Sequence, residues 1–330
     1  MTVASDRNRH IVLDTDCGID DALALLYLAG RPDADLAAVT TVYGNAPLEA
    51  VVRNVGYVLE LAGLPGVPVA VGAPGPIAGT ARIASHVHGA DGLGDVIADK
   101  EPPRNLVDHG AARFLVDLAR ERPGYYDLLA VGPLTNVGQA LEIEPELLTS
   151  FRSVVMMGGS GPFPPLGAVQ LVDANVQNDP EAARRVVHAP RNRLVSVGVN
   201  VTTTTIVDEA ALARLHGSGT RWGEFAGAVL ESYADFYQYA WGRRVSPAHD
   251  GLAAALLVEP AWIAASRTGP MNVTSDGFSV RAHLMRTADG GPVAWSAGQA
   301  PDSVVVTDVN REGFLADFLG ILATGGGSTW

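Results

Sequence analysis

Ile11-Val12-Leu13-Asp14-Thr15-Asp16-Cys17-Gly18-Ile19-Asp20-Asp21 decides how the rest of the chain is read. An apolar run delivers four carboxylates within eight positions, and an apolar run of helical character follows at once. Like charges this close repel one another unless a cation or raised pKa values relieve them. Oxygen-rich, thiolate-poor sites suit hard cations such as Ca²⁺ or Mg²⁺. Open α/β sheets bind their ligands at the carboxyl ends of strands. The stretch therefore predicts an ion site where a strand ends and a helix begins. Asp20 and Asp21 also have an ordinary use, because acidic residues in a first helical turn favour the dipole. That use does not account for Asp14 and Asp16.

Outward from this stretch, β-branched apolar runs alternate with amphipathic or Ala/Leu-rich runs. The pattern predicts strands over 10–14, 35–42, 67–71, 126–131, 152–157 and 193–199. It predicts helices over 20–29, 47–62, 108–121, 134–142, 179–188, 208–215, 221–241, 250–257 and 311–323. Strands separated by helices make parallel βαβ units, and near-continuous apolar strands are those buried on both faces. The expected fold is α/β: one domain over 1–330, with a mostly parallel, Rossmann-like sheet flanked by helices and frayed ends at 1–8 and 325–330. Two Gly/Pro-rich stretches, 72–95 and 158–168, have the character of site-bordering loops.

Composition narrows the function. A net charge of −13 argues against nucleic-acid or anionic-membrane partners, which call for basic surfaces. The single cysteine, Cys17, rules out an intrachain disulfide. The first ten residues are polar and no run of 18 apolar residues occurs, so a cytoplasmic protein without a membrane span is expected.

Further polar groups fall where strands are predicted to end. Val42-Tyr43-Gly44-Asn45 closes the second strand, which in a parallel sheet puts Asn45 at the same edge as Asp16. Val131-Gly132-Pro133-Leu134-Thr135-Asn136 closes the fourth, and a backbone carbonyl there is a good hard-cation ligand. Met157-Gly158-Gly159 closes the fifth. Asp173 and Asn175 are alternate residues and would face the same way in an extended segment. His249-Asp250 precedes an apolar helical run, where Asp250 reads either as a cap or as a ligand beside an acid. His86 and His88 alternate in the first Gly-rich loop, without the third nitrogen or sulfur ligand that zinc prefers.

Taken in order, these motifs resemble the nucleoside hydrolase family, the inosine–uridine-preferring N-ribohydrolases, over residues 10–320. Carrying the likeness are Asp14-Thr-Asp16-Cys-Gly-Ile-Asp20-Asp21, Val42-Tyr-Gly-Asn45, His88-Gly-Ala-Asp-Gly-Leu93, Gly132-Pro-Leu-Thr-Asn136, Met157-Gly-Gly159, Asp173-Ala-Asn175 and His249-Asp250. The resemblance implies a Ca²⁺ ion held by Asp16, Asp21, Asp250 and the main-chain carbonyl of Val131. It implies Asp16 as general base and His249 as the acid that protonates the leaving base. Asp20, Asn175 and Asp250 would hold ribose hydroxyls, with Asn45 on the same floor as a further catalytic residue. Met157 and Asp173 would contact the substrate, and His88 and Tyr237 its base. The implied substrate is a small nucleoside, the implied pathway salvage, and the implied assembly a homodimer or homotetramer.

The chain departs from the family pattern at two places. Cys17 stands where Pro is usual. Near the ribose 5′ end, Gly167 stands where an Asn is usual and Asp173 where a Glu is usual, within a loop carrying Pro162, Pro164 and Pro165. These changes predict weakened use of common ribonucleosides or a modified 5′ substituent. Two other readings stay open at this level. One is a non-catalytic nucleoside binder on the same scaffold. The other is a haloacid-dehalogenase-type phosphatase, suggested by Asp14-Thr-Asp16, which would need a lysine that only Lys100 could supply.

Overall fold

The computed structural model describes residues 8–97, 99–161, 173–273, 279–281 and 300–325. Its strands are β1 (Arg9–Thr15), β2 (Ala34–Thr41), β3 (Val69–Val71), β4 (Tyr126–Ala130), β5 (Ser153–Met157), β6 (Leu194–Val197), β7 (Ile206–Val207), β8 (Ser246–Pro247), β9 (Ile263–Val273), β10 (Ser279–Arg281) and β11 (Asp302–Val309). Nine of them form one sheet in the order β10-β9-β11-β6-β5-β4-β1-β2-β3, and β7 pairs with β8 apart from it. From β3 through β6 to β11 every pairing is parallel; β9 is antiparallel to both β11 and β10.

The parallel core follows from the alternation of side chains along each strand. Ile11 and Leu13 of β1 pack into one apolar cluster, as do Leu129 of β4 and Val155 and Met157 of β5. Val12, Leu128, Ala130, Val154 and Met156 point through the sheet into the second. Both faces are covered, so these strands lack the polar alternation of a half-exposed sheet. The helix Ile19–Gly30 is buried along its length from Ile19 to Leu28 and packs against the helices His249–Val258 and Arg311–Thr324. Such all-round burial suits a helix that is apolar on every face.

The strand order also locates the site. From β1 the chain steps outward through β2 and β3; from β4 it steps the other way through β5 and β6. β1 and β4 are therefore neighbours at a reversal of strand order, and the crevice beyond their carboxyl ends is where such sheets bind ligands. Asp16 follows β1 there, and Val131 follows β4.

The nine predicted helices and six predicted strands all appear, with ends shifted by three residues or fewer. The segment 193–199 is corrected: β6 stops at Val197, and a short helix, Val199–Thr202, follows. β9 and β11 escape the apolar-run criterion, β9 because Gly269-Pro270 interrupts it. Gly167 and the prolines at 162, 164 and 165 lie outside the described residues.

Candidate active site

The floor of the site is the turn between β1 and the helix Ile19–Gly30. Thr15 Oγ1 donates to Asp21 Oδ1 (2.5 Å), and Gly18 N donates to Asp21 Oδ2 (2.9 Å). Asn45, beyond the end of β2, donates its backbone N–H to Asp16 Oδ2 and its side-chain N–H to Asp21 Oδ2, both at 2.8 Å. The turn closes only because two neighbours lack side chains. A Cβ on Gly44 would stand 2.1 Å from Asp16 Oδ2, and one on Gly18 would stand 2.5 Å from the Asn45 amide. Cys17 between them has φ +30°, and its side chain packs into the apolar core. Burial first, then the charges of Asp21 and Asp16, pushes its thiol well above the ordinary range, so it is no thiolate nucleophile.

Asp16, Asp20, Asp21 and Asp250 are each at most 7% exposed. Asp20, Asp21 and Asp250 can bring one carboxylate oxygen each within 4.8 Å of one another, a group able to hold a metal ion. Asp16 adjoins them through Asp21. Burial pushes the pKa values of Asp16 and Asp250 well above the carboxylate range, and the neighbouring aspartates add to it. Burial, then Asp21, pushes Asp20 up to about 8. Among the described residues no cationic side chain offsets these charges. Two buried oxygens of these aspartates, Asp16 Oδ1 and Asp20 Oδ1, have no hydrogen-bond partner. Oxygen donors only, several of them ionisable and unsatisfied, are the donor set of a hard divalent cation.

Behind the floor, Asp14 Oδ1 accepts from Thr40 Oγ1 (2.6 Å) and Asn136 Nδ2 (2.7 Å). Asn136 also bonds Thr41 O and Ala73 N, so it ties the ends of β1 and β2 to the loop after β3. Burial pushes Asp14 up to about 6, partly offset by these two donors. Val131 O accepts from Asn175 Nδ2 at 2.6 Å, and Met157 O and Sδ accept from the same amide at 3.1 and 3.4 Å.

Above the floor opens a cavity of about 470 Å³ bordered by Asp20, Asn45, Val131, Met157, Asn175 and Asp250 below and by aromatic and histidine side chains above. The upper wall comes from the helix Arg221–Trp241. Tyr233, Tyr237 and Trp241 recur every four residues and so share one helical face; successive ring centroids lie 5.0 and 4.4 Å apart. His249 opens the helix His249–Val258. Its Nε2 meets Tyr237 Oη at 2.9 Å and its Nδ1 meets Thr202 Oγ1 at 2.6 Å. Burial lowers its pKa to about 4. His88 enters from the loop after β3; its Nδ1 accepts from Ile19 N at 3.2 Å, and burial, then His249 and His86, lowers its pKa to about 3.

The structure thus gathers Asp20, Asn45, His88, Val131, Met157, Asn175, Tyr237, His249 and Asp250 around one cavity, with Asp16 and Asp21 behind Asn45, to which both are hydrogen-bonded. Asp173 is placed differently. The segment after it is a short helix, Ala174–Asn178, and not the extended run expected, so Asp173 and Asn175 diverge. Asp173 caps that helix, accepting from Asn175 N and Val176 N, and it also accepts from Gly159 N. Asn136, Thr202 and Tyr233 were not anticipated. Tyr233, Tyr237 and Trp241 are spaced by four residues in the sequence, a spacing that puts them on one helical face, while Arg244 beyond the helix pairs with Glu231 and Asp235. Asn136 stands in the Gly132–Asn136 motif, but nothing local marks its tie to Asp14, 122 residues away, and nothing local marks Thr202, whose partner lies 47 residues away. Lys100 pairs with Asp91 in the His88 loop and not with the floor, which removes the lysine that a phosphatase would require. No helix among the described residues is long and apolar enough to cross a membrane.

Residues 11–316 match the family model described as inosine-uridine preferring nucleoside hydrolase. The inosine-uridine preferring nucleoside hydrolase of Leishmania major is 34% identical over 273 residues, covering 82% of this chain and 84% of that protein. Uridine nucleosidase 1 of Arabidopsis thaliana is 33% identical over 316 residues, covering 94% and 91%. A solved plant nucleoside hydrolase superposes with a TM-score of 0.86 at 28% identity, over 96% of this chain and 99% of that one.

Proposed function

The chain belongs to the inosine-uridine preferring nucleoside hydrolase family, and from that premise we propose that it hydrolyses the N-glycosidic bond of ribonucleosides to free base and ribose, with Ca²⁺ in its acidic floor. One observation carries this reading: a cluster of buried carboxylates, without a counter-charge among the described residues, lies beneath a cavity walled by aromatic rings and three histidines.

The unpartnered oxygens of Asp16 and Asp20 fit a bound cation. In this reading Asp16, Asp21, Asp250 and the Val131 carbonyl hold it, while Asp20, Asn175 and Asp250 receive the ribose hydroxyls. Calcium, when bound, would supply fixed positive charge that orients the sugar diol and makes a neighbouring water easier to deprotonate.

The residues then divide the work. Asp16 has one oxygen fixed by Asn45 N and the other free, so it can take a proton from the attacking water. The water oxygen bonds to C1′ as the C1′–N bond breaks and its electron pair leaves with the base. His249 supplies the proton that neutralises that base, an effect of typically ~10²–10⁴-fold. The anionic floor stabilises the oxocarbenium character that develops on the ribose. The rings of Tyr237 and Trp241, with His88, hold the base above it. Asp173, already accepting from three backbone N–H groups, has little capacity left for a 5′-hydroxyl, which supports altered 5′ specificity.

A panel of inosine, uridine, cytidine and a 5′-modified nucleoside, read as free base and ribose with and without a chelator, tests the proposal. Calcium-dependent release of both products is expected. Binding without release would show a non-catalytic binder, and full activity in excess chelator would remove the ion. A normal preference for unmodified ribonucleosides would refute the 5′ expectation.

A further inference from the structure

Two segments that border the cavity are joined by one side chain that does not. Asn54, in the helix Leu48–Leu61, is fully buried. Its Nδ2 donates to Cys17 O at 3.0 Å and to Asp91 O at 2.8 Å. Cys17 belongs to the aspartate turn, between Asp16 and Gly18, and Asp91 to the loop that carries His88. An amide turned the other way would set its oxygen against both carbonyls, so these two acceptors fix its direction. The amide's own oxygen is buried without a partner among the described residues. A buried acceptor left unpaired is costly, and the side chain keeps its place through its two N–H groups.

The loop is stiff in itself. Asp91 Oδ1 accepts from Leu93 N (2.7 Å) and Asp95 N (3.0 Å), and the Asp95 carboxylate accepts from Asp91 N (2.9 Å) and Ala90 N (3.1 Å). Gly94 N donates to His88 O at 2.7 Å, and Lys100 pairs with the other oxygen of Asp91. Whatever holds Asp91 O therefore holds His88 as well. Gly92, at φ +86°, permits the close approach: a Cβ there would stand 2.8 Å from Ala46 Cβ and 2.9 Å from Asn54 Nδ2. A second tie joins the same two segments, from Ile19 N to His88 Nδ1 at 3.2 Å. Ile19 opens the helix that carries Asp20 and Asp21.

We propose that Asn54 is a positioning residue that couples the acidic floor to the base-facing loop: its two amide protons tie the Cys17 carbonyl of one to the Asp91 carbonyl of the other, so that a cation ordering the aspartates also fixes His88. This rests on the hydrolase reading above, in which the floor binds Ca²⁺ and His88 holds the base. In that reading Asn54 touches neither substrate nor ion. It acts by passing the order of one segment to the other. Such coupling runs both ways, so a ligand that steadies the loop tightens the ion site by the same factor.

Amide hydrogen exchange, with calcium as the only added ligand, is the test. In the wild type, saturating calcium should slow exchange in residues 14–21 and, by about fivefold or more, in residues 88–95. Asn54→Leu keeps the size of the side chain without its N–H groups. In that variant calcium should still slow residues 14–21, while the slowing of 88–95 falls below about twofold. KM for inosine and uridine should rise about fivefold or more, with kcat changed less, since the floor and His249 are left in place. Asp127→Asn, a change near the start of β4, controls for general loss of stability and should keep the loop response of the wild type. A wild-type loop that calcium does not slow, or a loop response that survives Asn54→Leu, would overturn the proposal. If Asn54→Leu does not fold, Asn54→Ala takes its place, and exchange in the wild type still decides whether the loop follows the ion. Failure of the wild type to release base from any nucleoside would sink the hydrolase reading while leaving the exchange measurement intact.

Discussion

Asp127 and Asp16 are both buried carboxylates at ends of the same sheet, and the chain surrounds them in opposite ways. Asp127 stands near the start of β4, fully buried, paired with Arg9 and Arg152 and bonded by Ser153 Oγ at 2.6 Å. At the other end of β1 and β4, Asp16, Asp20, Asp21 and Asp250 crowd together, and among the described residues no arginine or lysine pairs with them. Burying an ionised carboxylate without a partner is costly. Where the role is to hold the fold, the chain supplies the counter-charge itself. At the site it does not, and in the proposed reading the missing charge arrives with the ion.

The largest test of this contrast is an exchange of two isosteric variants. Asp16→Asn should cut base release by about 10³-fold or more, since it removes the proposed base and a proposed ligand of the ion. In ion-free protein the same change should raise the melting temperature, because one of four repelling charges is gone. Asp127→Asn should do the reverse: leave hydrolysis unchanged and cost about 1.5–3 kcal/mol of stability, the scale of hydrogen bonds to charged groups. Its arginine partners are 27% and 30% exposed and can turn to water, which keeps the cost below that of a fully buried pair. Kinetics and thermal melts on the two proteins check both halves. If Asp16→Asn and Asp127→Asn destabilise alike, the two ends are not opposites.

Calcium should act on one end only. Saturation at 100 times Kd would stabilise the fold by about 2.7 kcal/mol, and chelation should return that amount. The pH dependence sharpens the point. Asp20 is pushed up to about 8 in the ion-free fold, far above its ordinary value. A raised folded-state pKa means that the penalty is complete above pH 8 and is relieved as the folded state takes up a proton. Ion-free protein should therefore gain stability as pH falls from about 8 to 6.5. Below 6.5 the trend is opposed: His249 and His88, lowered to about 4 and about 3, stay neutral in the fold and charge more readily when unfolded. With saturating calcium the upper slope should vanish, because Asp20 is then ionised on both sides. Melting curves at several pH values, with and without chelator, give the answer; identical slopes in both would show that no ion bears on these carboxylates.

The two ends were not equally legible in the sequence. The floor is short-range: Asp14 to Asp21 lie on a strand end, a turn and a helix start, and local apolar patterning places all three. Asn45 and Val131 follow from one further premise, that parallel strands bring their carboxyl ends to one edge. The Asp127 clamp draws on Arg9 and Arg152, 118 and 25 residues away, and no local pattern announces it. Thr202 escaped for the same reason. The direction of Asp173 was misjudged because alternation holds only in extended backbone, and an aspartate two residues before an asparagine can equally well start a helix.

The smallest effect belongs to the wall, and there the comparison turns from charge to shape. Trp241 packs edge-on against Tyr237 with centroids 4.4 Å apart, and Tyr237 in turn bonds His249. Among the described residues no hydrogen bond ties Trp241 to a carboxylate, so removing its ring should leave the ion site and the proton transfers in place. An aromatic pair is worth about 0.5–1.5 kcal/mol beyond its burial. Trp241→Ala should therefore raise KM about two- to twelvefold. The rise should be larger for a purine than for a pyrimidine nucleoside, because the larger base covers more of the wall. Calcium affinity should not move, and kcat should change less than KM. A fall in kcat as large as the rise in KM would mean that the wall and the acid are one mechanical unit. A change in KM alone would show that base recognition is layered onto a reaction centre that the floor already completes.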